Sequence, residues 1–87
     1  MISLEFNKHF LNSSRKLSTV EQIKLATLLE RFQHNPFDAS LQTKKLKGEL
    51  SGLFSFRVTR ERRVIFQFMN ETTIRLINVI HRKDAYR

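Results

Sequence analysis

The chain has 87 residues, of which 16 are lysine or arginine and 8 are acidic, and its formal net charge at pH 7 is +8. This length suits one small domain with a modest core, so we expect a single domain over residues 1–87. Because there is no cysteine, disulfides and thiolate catalysis are excluded, and a reducing cytoplasm is the expected location. No signal-peptide pattern and no membrane-spanning apolar run is present. The positive excess favours a polyanionic partner, nucleic acid first.

The first half of the chain predicts one strand and two helices. Apolar and polar residues alternate over residues 2–6, which indicates a short strand that joins the main sheet. Helical spacing follows over about residues 7–16. Ser18 and Glu21 have the spacing of a capping box, and the good helix formers behind them predict a second helix that ends near His34, before an Asn-Pro pair.

The second helix carries an unusually wide apolar surface. A stripe suited to cover a sheet contains Leu25, Leu28, Leu29 and Phe32. A flank beyond that stripe contains Val20, Ile23 and Ala26. We predict that the flank packs on the first helix, and the alternative is that an external partner covers it.

A basic loop then leads into a β-hairpin. Lys44, Lys45 and Lys47 surround Leu46, which we expect to anchor the loop to the core. The only two glycines, Gly48 and Gly52, bracket a turn before the first hairpin strand.

The hairpin places two arginines opposite each other. If the apolar rows of both strands share one face, Phe56 must pair with Val64, and Arg57 then lies across from Arg63 on the other face. Like charges in such a pair are destabilising by up to ~1 kcal/mol. A bound anion would remove this cost, and the alternative is that both arginines are simply solvated on an exposed face.

The chain closes with a third strand and a polar tail. Residues 72–80 carry apolar side chains on both sides, which predicts a central strand, and we expect no further element in the tail HRKDAYR. Period-two spacing assigns most of the eight phenylalanines to the core rather than to base stacking. Because no metal-ligand spacing or glycine-rich phosphate loop is present, we expect neither a metal nor a cofactor.

Two segments resemble the RelE/ParE superfamily of toxins from type II toxin-antitoxin pairs, and most closely its RelE and YoeB mRNA interferase branches. LKGELSGLFSFRVTRERRVIF is similar to the LSGFWSxRI and RLVY pattern of the YoeB branch, and HRKDAYR is similar to the HRxxVY ending of RelE-like members. The resemblance implies an α+β fold in which an N-terminal helical hairpin packs on one face of a small, mainly antiparallel twisted sheet. It also implies ribosome-dependent cleavage of mRNA, with ribosome, mRNA and a cognate antitoxin as partners.

Carried over by position, the resemblance implies catalytic roles for Arg57, Arg63, His81, Arg82 and Tyr86. RNA contacts are expected from the neighbouring basic or polar residues Lys44, Lys45, Lys47, Ser55, Arg60 and Lys83. Two positions depart from the relatives, since Ser55 replaces a lysine of RelE and Lys44 replaces a glutamate base of the YoeB branch.

The chemistry these residues support needs no metal. Attack by the RNA 2′-hydroxyl requires a base, cations for the phosphate and an acid. Arginine suits the phosphate because its planar fork holds two oxygens. Histidine exchanges protons near neutrality, so His81 is the candidate acid or base. Tyr86 stacks on a base or, in the alternative, only packs at the sheet edge.

Two other functions remain open from the sequence. One is a ParE-like inhibitor of DNA gyrase without nuclease activity, and the other is a basic RNA-binding module that does not cut. For the nuclease, we expect Arg63→Ala to abolish cleavage and to leave the fold intact, on the premise that Arg63 is exposed.

Overall fold

The computed structural model describes residues 1–85, which contain five strands and three α-helices. In chain order these are β1 (Ser3–Phe6), α1 (Lys8–Arg15), α2 (Thr19–His34), β2 (Lys44–Lys45), β3 (Phe54–Arg57), β4 (Arg62–Phe68), β5 (Thr73–His81) and α3 (Arg82–Ala85). Within residues 1–85, no helix is both long enough and apolar enough to cross a membrane.

The strands form one sheet in the order β1-β5-β4-β3-β2. The β1–β5 pair is parallel and the other three pairs are antiparallel. The predicted α+β class, the mainly antiparallel sheet and the central position of the last strand are therefore confirmed.

Both long helices begin at the residues that the sequence indicates. The Asn7 side chain accepts a hydrogen bond from the backbone N–H of His9 at 2.6 Å and caps α1. At α2, the backbone N–H of Glu21 donates to Ser18 Oγ at 3.1 Å, and the backbone N–H of Ser18 donates to Glu21 Oε1 at 2.9 Å. These reciprocal bonds are the predicted capping box.

The main core lies between α1, α2 and one face of the sheet. Phe32 of α2 has no solvent exposure, and its ring centroid is 4.8 Å from that of Phe56 and 4.8 Å from that of Phe66. Phe56 pairs with Val64, as the alternation requires. Six of the phenylalanines are buried or partly buried in this core, namely Phe10, Phe32, Phe54, Phe56, Phe66 and Phe68.

The other face of the sheet carries a smaller apolar cluster. Its buried members are Leu46, Ile65 and Ala85, so the basic loop is anchored by Leu46 as predicted. The expectation of a tail without a further element is wrong, because residues 82–85 form α3 and the burial of Ala85 gives this single turn a packing surface.

The prediction that the flank of α2 packs on α1 is wrong for two of its three residues. Val20 and Ile23 are 76% and 64% exposed. Ala26 is exposed too, but it lines the groove between the two helices together with Phe10 and Leu25. Only the Ala26 end of the flank therefore faces α1, and Val20 and Ile23 remain uncovered.

Candidate functional site

The predicted pairing of the two arginines is confirmed. Arg57 on β3 is the register partner of Arg63 on β4, directly beside the Phe56–Val64 pair of the main core. Because side chains alternate along a strand, the side chains of Arg57 and Arg63 leave the backbone on the sheet face opposite to α2.

Arg63 is buried, so the premise that it is an exposed charge is wrong. The residue is 9% exposed, and its guanidinium NH1 donates to the backbone carbonyls of Thr59 at 2.7 Å, Arg60 at 3.2 Å and Arg62 at 3.0 Å. Arg63 thus satisfies the carbonyls of the β3–β4 turn with a charged donor.

Arg57 uses a different partner. Its NH1 donates to Gln42 Oε1 at 3.4 Å, and the residue is half-buried. Each guanidinium therefore has its own neutral acceptor, which reduces the cost of placing two like charges in one pair without requiring a bound anion. The cross-strand pairing of Arg57 with Arg63 did not by itself predict these separate acceptors.

His81 lies at the end of β5 and forms a pair with a carboxylate. His81 Nε2 is 2.8 Å from Glu61 Oε2, and Nδ1 accepts a hydrogen bond of 3.3 Å from the backbone N–H of Lys83. An accepting Nδ1 leaves the proton of the neutral ring on Nε2, where it is donated to Glu61.

The sheet separates this histidine from Arg63. Arg62 and His81 are register partners on the face of the main core, and Arg62 Nε is 3.3 Å from Glu21 Oε2 of α2. Arg63 pairs with Ile80 of the smaller cluster on the other face. Arg57, Arg63 and His81 therefore lie at one end of the sheet, but not on one face.

That end is formed by residues 57–63, which span the β3–β4 turn and the adjoining strand ends, and by residues 81–85, and we call it the cationic end. The two segments are joined by the hydrogen bond from the backbone N–H of Arg82 to the carbonyl of Glu61, at 2.8 Å. The cationic residues on them are Arg57, Arg60, Arg62, Arg63, Arg82 and Lys83. Glu61 and Asp84 are the acidic residues of the same segments.

The remaining predicted RNA-contacting residues lie along the edge of the sheet. Lys44 of β2 pairs with Ser55 of β3, and Lys44, Lys45 and Lys47 are exposed. Ser55 has no solvent exposure, and its Oγ has no hydrogen-bond partner among residues 1–85. A direct contact of Ser55 with RNA does not fit this placement, because β2, β4 and the smaller cluster surround its position in the sheet.

Tyr86 lies outside the described residues. Within the described part of the chain, no three His, Cys, Asp or Glu side chains come together in a way that would hold a metal ion. Sequence reasoning missed Glu61 as the partner of His81, because their contact depends on the β4–β5 register and no local pattern marks it.

The pKa values of two carboxyl groups, those of Glu21 and Asp38, are lowered in the folded chain. The hydrogen bond from the backbone N–H of Ser18, aided by Arg62, lowers the pKa of Glu21 below its ordinary value. Hydrogen bonds from the hydroxyl and the backbone N–H of Ser40 lower the pKa of Asp38, and the charge of Arg31 contributes to that shift.

Residues 3–86 match the family model described as the YoeB-like toxin of the bacterial type II toxin-antitoxin system. The chain belongs to this family. YoeB-like toxins are part of the RelE/ParE-like superfamily, so the predicted resemblance is confirmed. No curated protein sequence matches the chain significantly.

Solved structures show the same fold at low sequence identity. The YoeB/ParE toxin from Agrobacterium tumefaciens has a TM-score of 0.76 and 18% identity, over 92% of this chain and 98% of that chain. YafQ from Escherichia coli strain BL21(DE3) has a TM-score of 0.78 and 14% identity, over 100% of both chains. The YoeB-YefM complex from Staphylococcus aureus has a TM-score of 0.73 and 18% identity, over 92% and 95%.

Proposed function

We propose that this YoeB-like toxin is a ribosome-dependent mRNA endoribonuclease that works without a metal ion. The observation that carries the proposal is the cationic end, where two chain segments bring six basic residues and one histidine–carboxylate pair to the same end of the sheet. Such a concentration of cations suits the phosphates of RNA, and the imidazole ring of the histidine can both accept and donate a proton.

The arginines have different proposed roles at the phosphate. Arg57 is half-buried with one long hydrogen bond, and Arg82 is exposed, so both side chains are available to hold phosphate oxygens. Arg63 stays a candidate catalytic residue, and it has a second role because it holds the turn that carries Arg60 and Glu61.

His81 and Glu61 form the proposed proton-transfer pair. In the tautomer described above, Nδ1 is the ring atom that can accept the proton of the 2′-hydroxyl, once the 3.3 Å contact with the backbone N–H of Lys83 is released. The carboxylate of Glu61 at Nε2 then stabilises the imidazolium. As the 2′-oxygen bonds to phosphorus, the bond between phosphorus and the 5′-oxygen breaks, and the imidazolium returns its proton to that leaving oxygen. Glu61 is a positioning residue in this scheme, and Tyr86 remains the predicted contact for the nucleotide base.

A cognate antitoxin is the proposed protein partner, in the cytoplasm where ribosomes are found. Solved relatives carry the titles YoeB-YefM complex from Staphylococcus aureus and archaeal RelE-RelB complex from Pyrococcus horikoshii OT3. On this chain, an acidic antitoxin segment fits the cationic end, and an apolar segment fits the exposed flank of Val20 and Ile23.

The test is a translation reaction with purified toxin, in which mRNA 5′ ends are mapped. We expect new ends at A-site codons with the wild-type chain, a large loss with Arg57→Ala or His81→Ala, and no loss with Arg15→Ala, an exposed arginine on α1. The Glu61→Gln variant should shift the pH profile of cleavage, because it removes the charge that stabilises the imidazolium.

Three results would overturn the proposal. The first is the absence of new 5′ ends at A-site codons. The second is equal cleavage by Arg57→Ala, His81→Ala and Arg15→Ala at matched folding. The third is inhibition of gyrase supercoiling by the same preparation without mRNA cleavage, which would assign the chain to gyrase inhibition.

A further inference from the structure

A second cationic feature lies between α2 and the edge of β3. It is a pocket of about 390 Å³, and its charged lining residues are Lys24, Arg31, Arg57 and Arg60. Two apolar side chains, Leu28 and Val58, are also part of the lining and belong to the main core. We call this the α2 pocket.

The helix period explains why two of the cations are together. Lys24 and Arg31 are seven residues apart on α2, which places them two turns apart on one side of the helix. Leu28 lies between them and is buried against the sheet, so this side of α2 sits next to the edge of β3. The end of β3 and the following turn then add Arg57 and Arg60.

The electrostatics of the pocket favour an anion. No carboxylate belongs to the lining, and none of the four cations forms an ion pair within residues 1–85. The acidic group that affects the pocket is Asp38, which interacts with the charge of Arg31, but its carboxylate accepts hydrogen bonds from Ser40 at 2.9 and 2.6 Å. The lining thus holds four cations and no carboxylate, and the carboxylate that interacts with Arg31 already has other partners.

We propose that the α2 pocket binds a backbone phosphate of an RNA strand that continues from the cationic end onto α2. This inference rests on the proposed function, because Arg57 and Arg60 belong to both features. Three guanidinium groups can grip phosphate oxygens in pairs, and the bond of Arg57 to Gln42, at 3.4 Å, is easily exchanged for one to phosphate. The apolar side chains of Leu28 and Val58 suit the face of a ribose or a base.

The chain offers a matched control for this surface. Lys24 and Arg31 of α2 have the same residue types and the same spacing as Lys8 and Arg15 of α1, and all four are exposed. Lys8 and Arg15 are outside the α2 pocket. The double variants Lys24→Glu/Arg31→Glu and Lys8→Glu/Arg15→Glu therefore change the net charge equally and differ in the place of the change.

The experiment measures binding of a fluorescent 12-nucleotide RNA with 2′-O-methyl riboses, which cannot be cleaved by 2′-hydroxyl attack. Fluorescence anisotropy over a salt series gives the Kd and the slope of log Kd against log salt. We expect the α2 variant to bind at least about tenfold more weakly than the α1 variant, with a slope smaller by about 0.7 for one lost phosphate contact. Circular dichroism melting curves check that both variants are folded.

Equal weakening in the two double variants would overturn the inference, because a local site requires a difference. The inference would also fail if the α2 variant lost affinity only for a polyglutamate peptide, which would mark the pocket as an acidic-peptide site. The binding assay contains no ribosome. A wild-type chain that binds this RNA through the α2 pocket but cuts no mRNA on ribosomes would therefore refute only the proposed function.

Discussion

The two faces of the sheet differ in what they bury, since one buries large apolar side chains and the other also buries polar groups. The face under α1 and α2 is closed by large side chains without any exposure, such as Phe32, Phe56 and Phe66. The opposite face has a small apolar cluster, and it also buries an arginine that donates to backbone carbonyls and a serine hydroxyl that has no partner among the described residues. One face thus supplies most of the hydrophobic stabilisation, while the other keeps polar groups at a cost.

This difference suggests a division of labour within one domain. Polar atoms are expensive to bury unless hydrogen bonds compensate, so a face that retains them is poorly suited to hold the fold together. This face adjoins the cationic end of the sheet, where anions are expected to bind. Substitutions on the two faces should therefore differ in the size and even in the sign of their effect on stability.

The largest effect is expected on the helix side. Phe32→Ala should lower the free energy of unfolding by about 3–5 kcal/mol, because it empties a fully enclosed site between α2 and two strands. Leu46→Ala on the other face should cost less, since an edge site next to a loop can collapse or admit water. Urea denaturation measures both, and an equal or larger loss in Leu46→Ala would contradict the proposed difference between the faces.

The next largest difference in stability is expected between the alanine variants of Arg63 and Arg57. Arg63→Ala removes the charged donor from three carbonyls of the β3–β4 turn, two of which keep a backbone N–H donor, and should cost about 1–3 kcal/mol. Arg57→Ala should change stability by no more than about 0.5 kcal/mol, because this side chain is half-exposed and weakly bonded. Thermal and urea unfolding of both variants measure this difference. Similar losses of stability would show that the carbonyl contacts of Arg63 do not contribute to the stability of the fold.

Two serines should show opposite signs. Ser55→Ala removes a buried hydroxyl that has no hydrogen-bond partner within residues 1–85, and it should raise stability by up to about 1 kcal/mol. Ser13→Ala should lower it by about 1 kcal/mol, because Ser13 Oγ donates to the carbonyl of His9 at 2.8 Å and accepts from the backbone N–H of Val79 at 3.0 Å. A destabilised Ser55→Ala would indicate a hydrogen-bond partner for this hydroxyl.

The smallest effect should appear at Glu21 and should depend on pH. Its pKa is lowered in the folded chain, first by the backbone N–H of Ser18 and further by Arg62. The charged form therefore stabilises the fold above the ordinary pKa of about 4.5, and this contribution is lost as the pH falls through the lower folded value.

Glu21→Gln should cost less than about 1 kcal/mol near pH 7, since the amide can still accept the Ser18 hydrogen bond and only the charge is removed. The difference from the wild-type chain should shrink when unfolding is measured at about pH 3. A difference that stays constant between the two pH values would exclude a role for the carboxylate charge.

Much of the fold could be read from local patterns. The alternation of the hairpin predicted the pairing of Phe56 with Val64 and of Arg57 with Arg63, because a slip by one residue would expose a whole apolar row. The spacing of Ser18 and Glu21 predicted where α2 begins. The candidate site was only partly predictable, since most basic residues of the cationic end were named, but Arg62, Glu61 and the division between two faces were not.

The sequence by itself determined the first strand, the two long helices, the hairpin with its register, the last strand and the family resemblance, because these depend on short-range periodicity, caps and motifs along the chain. Only the tertiary structure decided that Arg63 is buried against the β3–β4 turn, that His81 meets Glu61, and that Lys24 and Arg31 lie beside Arg57. The physical reason is that these contacts join distant segments, and their geometry follows from how the helices, turn and sheet edges pack rather than from any local pattern.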